Sequence, residues 1–191
     1  MKINKGYRSV KSSQIVLKEL MIPSYENFGG KVHGGIVLSL MDKVAYACAA
    51  SHSKSYCVTA SVDKVDFLNP VEVGEILTLY SSVNYTGRSS MEVGIRVVSE
   101  NFTTGSIRHT NTSYFTMVAL DRETKIPEPV AGLLLEDSED VRRFLEGRLR
   151  KRLRKLHDND LDKARKEIGD DAFDVLKKEN CKVFLKSSVS E

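Results

Sequence analysis

From Gly34 to about Ala50 the chain carries an apolar run in which Ile36, Val37, Leu40, Met41, Val44, Tyr46 and Ala47 cover more than one face of a helix. A helix of that kind is buried on most sides, so the rest of the chain has to wrap it. Ile15–Leu20 reads as a short strand ahead of it. After it, segments 56–67, 76–86, 89–99 and 106–120 alternate apolar with polar residues, as half-buried strands do. Asn69–Pro70 with Gly74, Gly87–Arg88, and Asn101 to Gly105 punctuate them as turns. The predicted order is one strand, a long helix, then four strands in hairpin succession. An α+β architecture with one antiparallel sheet wrapped round a central helix satisfies it, because the sheet needs its apolar face covered.

The approach to that helix is equally informative. Asn27 to Asp42 reads N-F-G-G-K-V-H-G-G-I-V-L-S-L-M-D, with Gly29, Gly30, Gly34 and Gly35 ahead of the apolar run and Asp42 about two turns inside it. A glycine-rich helix start leaves its first N–H groups bare, and those donors with the positive helix end suit a polarised carbonyl or an anion. A carboxylate in an apolar run is costly to bury without a partner or a task. Oxyanion donors plus a desolvated carboxylate are the parts that acyl transfer needs.

Composition narrows the class. With 191 residues, 41% hydrophobic and 29% charged, the chain suits one sizeable soluble domain with an appendage. A formal net charge of +3 is too small to argue for nucleic acid. Three cysteines without CxxC spacing suggest a reducing compartment, and four histidines with them show no metal-ligand pattern. M-K-I-N-K-G-Y-R at the start has no apolar h-region, and no run approaches the ~20 apolar residues of a membrane span. The expectation is a cytoplasmic protein.

After Pro127 and Pro129 the character changes to dense charge. Val141, Leu145, Leu149 and Leu153 recur every fourth residue, and Leu161, Ala164, Ile168, Ala172, Val175 and Leu176 keep roughly helical spacing, with Gly169–Asp170 as a possible cap between two helices. Residues 131–191 are therefore expected to form a helical extension of a 1–130 domain, packed on that domain or on a neighbouring subunit. A chain ending near Val130 is expected to keep activity with lower stability or a smaller oligomer. The basic cluster Arg148, Arg150, Lys151, Arg152, Arg154 and Lys155 is bracketed by acids and reads as an exposed helix face rather than a nucleic-acid site.

Four pieces in order carry a family resemblance: N-F-G-G-K-V-H-G-G-I-V-L-S-L-M-D, V-T-A-S-V-D-K-V-D-F-L-N-P-V-E-V-G, T-G-R-S-S-M-E-V and F-T-M-V-A-L-D. Over roughly residues 10 to 130 the chain resembles the hotdog-fold acyl-CoA thioesterases, in the cytosolic acyl-CoA hydrolase branch. The resemblance implies a hotdog subunit, an obligate homodimer with a joined sheet, often a trimer of dimers (a hexamer), and hydrolysis of fatty acyl-CoA to free acid and CoA. It needs no cofactor, coenzyme A being part of substrate and product. It places Asn27, Gly34 or Gly35, and Asp42 in the catalytic site. Gly87, Arg88, Ser89 and Ser90, running on to Met91, match a segment that lies against bound CoA. The strand of Thr59 and Ser61 would lie beside CoA too, and Met41, with Leu40 and Val44, could wall an apolar acyl channel.

Helix geometry adds a constraint. Gly34 and Gly35 precede Asp42 by eight and seven residues, about 10–12 Å at 1.5 Å per residue, whereas reacting atoms approach to about 3–3.5 Å. A second helix running antiparallel beside the first would bring Asp42 of one chain to the glycines of another. If these residues are catalytic, the site is shared. Asp42 then acts as general base on a water or as nucleophile through a mixed anhydride, and Asn27 orients water or carbonyl.

The alternatives are a hotdog hydratase or dehydratase and a non-catalytic acyl-CoA sensor. The former normally pairs a His with an acid, but His33 lies on the wrong side of the glycines; a surface or supporting role suits it better. The latter carries a DNA-binding module, for which about 12 residues ahead of the first strand leave no room. Ser89, Ser90, His109 and Cys57 form no defensible triad.

Overall fold

A computed structural model describes residues 6–169, 176–177 and 179–184. The elements are β1 (Tyr7–Ser9), β2 (Ile15–Leu20), α1 (Gly34–Ser53), β3 (Tyr56–Val62), β4 (Ile76–Thr86), β5 (Ser90–Asn101), β6 (Ser106–Leu120), β7 (Gly132–Leu134) and α2 (Ser138–Lys166). Ala172 and Val175, and the Asp170 end of the expected helix cap, lie outside the described residues.

The apolar run does form a helix, but its buried residues follow one another on one face: Val37, Leu40, Met41, Val44, Ala45, Cys48, Ala49 and His52. Leu38, Asp42, Lys43 and Tyr46 stand exposed on the other, which corrects the expectation of burial on most sides for the single chain. It stops where Lys54 takes a left-handed conformation (φ 58°) and returns its N–H to the Ala50 carbonyl. Leu77, Leu79 and Val83 of β4, Val93, Ile95 and Val97 of β5, and Phe115, Met117 and Ala119 of β6 complete the core. Their spacing of two along each strand is the alternation legible in the sequence. Cys48 and Cys57 are both buried in this packing, and burial pushes the Cys48 thiol up to about 12.

One antiparallel sheet of five strands surrounds the helix, in the order β2-β4-β5-β6-β3. Here the expected succession needs correction. β4, β5 and β6 are joined as hairpins, but β3 pairs with β6 at the far edge, Cys57 facing Ala119 and Thr59 facing Met117. α1 runs across the sheet, so the chain leaves it at the edge opposite β2 and must cross back before β4 begins. β3 is also shorter than expected. Beyond Val62 the ladder gives way to isolated bonds with β6, among them Asp63 N–H to Tyr114 O, Leu68 N–H to Thr110 O and Ser113 Oγ to the Asp63 carbonyl.

A two-stranded parallel ladder of β1 and β7 was not anticipated. Val130, Ala131 and Leu133 are buried, and His52 of α1 shares a hydrogen bond of 3.0 Å from Nε2 with the Ala131 carbonyl. The first three turns of α2 lie on the outer face of the sheet, with Phe144 tilted against Tyr85 at 5.1 Å. Gly147 is seated directly above β5: a Cβ there would stand 2.7 Å from Glu92 Oε1 and 2.8 Å from Tyr85 Cβ. One compact unit extends to Arg148, and residues from Leu149 onward form a second. The boundary expected at 130/131 thus falls inside the first unit.

His52 gives the fold a pH dependence. Burial holds its pKa below the usual 6.5, and Arg8 and Lys54 push the same way against the Ala131 hydrogen bond. Below about 6.5 the unfolded chain gains a proton that the native one refuses. The contribution is therefore complete above that pH and is lost as pH falls toward the native value, at up to about 1.4 kcal/mol per pH unit. Urea unfolding between pH 7.5 and 5.0 should show this slope, and it should flatten in His52→Gln. An unchanged slope would assign the acid sensitivity elsewhere.

Candidate active site

Asp42 points away from the core. In the single chain it is exposed, which corrects the expectation of a desolvated carboxylate. Its Oδ1 accepts a hydrogen bond of 2.5 Å from Thr59 Oγ1. Thr59 lies on the exposed half of edge strand β3, where it also reaches Met117 Sδ at 3.4 Å. The α1–β3 pair thus aims one oxygen of Asp42 at a fixed donor and leaves the other for a ligand or water. A hydroxyl donating to an ionised carboxylate is a charge-assisted bond, about twice as strong as a neutral one.

The helix start is a second, separate cluster. His33 is the N-cap of α1, with Nδ1 accepting from Gly35 N at 2.9 Å, and the His33 carbonyl accepts from Ile36 N. A Cβ on residue 35 would sit 3.0 Å from His33 Nδ1, so glycine is what lets the ring reach over the helix end. With the Gly35 donor capped, Gly34 N–H has no acceptor among the described residues and stands at the positive end of the helix. Asn27 shapes the preceding loop: Oδ1 accepts from Gly29 N at 2.8 Å and Lys31 N at 3.2 Å. This leaves the Asn27 amide nitrogen as its outward donor. Phe67 packs at 3.4 Å from where a Gly34 Cβ would be.

The structure therefore brings Asp42 and Thr59 together and groups Asn27, Gly34 and Gly35, but the two sets lie about two helical turns apart in one chain. The register across four strands sets Thr86, Met91, Met117 and Thr59 in one row. The Gly87–Ser90 turn projects just beyond it, closed by Gly87 N–H to Ser90 O at 2.7 Å and held by Val130 N–H to Arg88 O at 2.9 Å. Arg88 is exposed. Ser61 is exposed on β3, across a bulge from Thr59. Met41 lies fully inside the core, its sulfur accepting from Asn111 Nδ2 at 3.3 Å. Two features escaped the sequence: Thr59 as the partner of Asp42, and His33 as a cap. The latter had a signal, a polar ring directly ahead of two glycines at a helix start. Among the described residues no cluster of His, Cys, Asp and Glu is arranged for a metal, and no helix is long and apolar enough to cross a membrane.

A curled antiparallel sheet around one long helix, with a glycine-led helix start and an acid two turns on, defines a hotdog thioesterase. The chain belongs to the acyl-CoA thioester hydrolases of the thioesterase superfamily, whose family model matches residues 29–106. Among its relatives, protein VdlD of Helicobacter pylori is 41% identical over 140 residues, 73% of this chain and 79% of that protein. The uncharacterized acyl-CoA thioester hydrolase YkhA of Bacillus subtilis is 37% identical, over 70% of this chain and 77% of the relative. An apo-hexameric acyl-CoA thioesterase of known structure superposes with a TM-score of 0.77 at 38% identity, covering 80% of this chain and 97% of that one. The acyl-CoA hydrolase of Staphylococcus aureus, solved with butyryl coenzyme A, coenzyme A and coenzyme A disulfide, superposes at 0.75 with 29% identity, covering 85% and 98%. Variants of that enzyme with one asparagine, one threonine or one aspartate replaced by alanine have also been solved, the asparagine variant with coenzyme A.

Replacing Thr59 by Val keeps the shape and removes the donor to Asp42. The expected result is a fall in kcat of about 10–10², as for one lost positioning hydrogen bond. Unchanged kcat would make the Thr59–Asp42 bond incidental.

Proposed function

We propose that this chain hydrolyses fatty acyl-CoA to free fatty acid and CoA in a site shared by two copies. The observation that carries this is the Thr59–Asp42 pair, 2.5 Å apart on an exposed surface, two turns from a helix start with an unused donor. One chain holds a base without an oxyanion site beside it, and an oxyanion site without a base. An antiparallel second α1 closes the gap. Those same residue types, Asn, Thr and Asp, are the ones replaced in the solved variants of the Staphylococcus aureus hydrolase.

In this scheme Gly34 N–H of one copy and the Asn27 amide hold the thioester oxygen and stabilise the negative charge that grows there, the largest single term in most acyl transfers. Asp42 of the other copy, oriented by Thr59, takes a proton from water as the water oxygen bonds to the thioester carbon. The tetrahedral intermediate then collapses, the C–S bond breaks, and the CoA thiolate leaves with a proton. Arg88, exposed in the 87–90 turn, supplies a cation for the CoA phosphates. Ser61, Ser89 and Ser90 are further polar contacts for CoA, and Met41 backs the acyl channel from the core. The assembly is a homodimer, built up as a trimer of dimers, with no cofactor or metal.

Thiol release from acyl-CoAs running from acetyl to palmitoyl tests the activity and fixes the preferred chain. Binding without thiol release would favour a sensor, and hydration of an enoyl thioester would favour a hydratase. A single turnover in ¹⁸O water separates the two roles of Asp42. Label in the Asp42 carboxyl means a nucleophile, whereas label in the product acid alone is given by a base or by an anhydride hydrolysed at its acyl carbon, which trapping of the acyl-enzyme with hydroxylamine tells apart.

A further inference from the structure

The turn after β6 is built to aim one cation. Asp121 Oδ1 accepts from Glu123 N, Thr124 N and Thr124 Oγ1 at 2.8–3.0 Å. The Asp121 N–H donates to the Ile126 carbonyl and the Asp121 carbonyl accepts from Lys125 N, both at 3.0 Å. Lys125 closes the turn in a left-handed conformation (φ 60°), which glycine or asparagine adopts at less cost than lysine. Its Nζ stands 5.3 Å from the centre of the Tyr56 ring. Among the described residues no carboxylate forms an ion pair with that ammonium, although Asp121 lies near enough to feel its charge. A cation held over an aromatic face by a strained backbone points to a task for the cation.

Its surroundings supply one. Tyr56 begins β3 opposite Leu120. The segment after Leu120 is stitched to the Gly87–Ser90 turn, through Ala119 N–H to Ser89 O and Val130 N–H to Arg88 O, both 2.9 Å. Lys125 and Arg88 therefore rise from adjoining turns at one end of the sheet. Tyr56 meets Tyr46 of α1 edge-on, with ring centres 6.3 Å apart. Tyr46 is one helical turn from Asp42, and Tyr56 is three residues from Thr59. The junction of α1 and β3 thus carries the Asp42–Thr59 pair, then two rings, then Lys125. Three residues of strand cover about 10 Å, so with the reach of the side chains the cation stands roughly 10–20 Å from that pair. In coenzyme A about 13 bonds separate the sulfur from the first phosphorus, about 15 Å at the extension of a polypeptide backbone.

We propose that Lys125 is a second cation for the phosphates of the CoA moiety, and that Tyr46 and Tyr56 wall the path by which the pantetheine arm reaches Asp42. This rests on the acyl-CoA reading above and adds to it a residue that sets affinity for the nucleotide half of the substrate. Coenzyme A carries a diphosphate and a 3′-phosphate, more negative charge than Arg88 alone offsets.

Thioesters with and without that nucleotide half test the assignment on the full chain. Lys125→Asn removes the charge and suits the left-handed backbone, so the fold should be at least as stable. In this variant KM for acyl-CoA should rise about 3–10-fold relative to KM for the same acyl group on pantetheine, as for one lost exposed charge-assisted contact. Lys125→Arg keeps a cation that stacks on tyrosine and should restore the native ratio. The acyl chain used is the one that the native protein turns over fastest. An unchanged ratio in Lys125→Asn overturns the proposal. So does a ratio that Lys125→Arg raises as far as Lys125→Asn does, because shape rather than charge would then be responsible. Calorimetry with coenzyme A and with pantetheine frees the test from turnover. If the native chain released no thiol, the hydrolase reading would fail, while Lys125→Asn should still weaken coenzyme A alone by the same factor. Equal binding of coenzyme A by the native and Lys125→Asn chains would overturn the proposal by itself.

Discussion

Asp42→Ala should lower kcat by at least about 10²–10⁴-fold, the contribution of a positioned general base, and by more if the carboxylate is the nucleophile. The unfolding midpoint should hardly move, because Asp42 is exposed in the chain and packs against little. Asn27→Ala should be milder, about 10–10³-fold, as for one lost oxyanion or positioning donor. On the proposed sharing of the site, these two defects combine into a sharper experiment. Mixed dimers of one Asp42→Ala chain with one Asn27→Ala chain contain two sites. One carries both substitutions and the other carries neither. Activity should return toward half that of the native dimer. No recovery, with subunit exchange shown independently by mass, would mean that each chain supplies both residues to its own site.

The second large effect concerns where the chain can be cut. Ending it at Val130 removes the Ala131 carbonyl that partners His52 Nε2, the buried Leu133, the β1–β7 ladder and the Phe144–Tyr85 contact. Burial of one leucine is worth about 1.5–3 kcal/mol, and a buried polar group left without its partner costs about 1–3 kcal/mol. Adding the aromatic contact brings the loss to about 5 kcal/mol, comparable with the whole stability of a marginal domain. A chain ending at Val130 should therefore be unfolded or nearly so at 37 °C, whereas one ending at Arg148 should melt close to the full chain. If the shorter chain melts with the longer one, β7 and the first turns of α2 add nothing to the fold. The expectation from sequence alone was gentler, because it began the appendage at residue 131.

That difference shows what the sequence could and could not carry. α1 was legible because its apolar residues recur at helical spacing over about five turns, and β4, β5 and β6 because they alternate between turn residues. β3 had the same local pattern, and nothing in it distinguishes pairing with β4 from pairing with β6. The answer lies in where α1 delivers the chain, which is a tertiary fact. β1 and β7 are three residues each, too short for any periodicity. Of the site, Asp42, Asn27 and the glycines stood out as residue types that their surroundings would not otherwise favour. Thr59 was singled out by the resemblance alone, as a neighbour of CoA; a threonine on a strand is ordinary, and its place beside Asp42 shows only in the 2.5 Å approach of its hydroxyl. Val141 to Leu153 declared a stripe at four-residue spacing, and among the described residues that stripe is exposed.

The two cysteines in the core bear on life beside the product. Each turnover of a thioester hydrolase frees a thiol, and coenzyme A oxidises readily to its disulfide, the form also captured in the Staphylococcus aureus enzyme. Exchange with such a disulfide requires an accessible thiolate. Cys48 is buried and pushed up to about 12, and Cys57 is buried and raised by the same desolvation. Neither offers a thiolate to attack. Among the three, Cys181 alone is exposed, so capture by oxidised product is confined to the C-terminal segment. The core of sheet and α1, on which the candidate site is built, offers such a disulfide no thiolate.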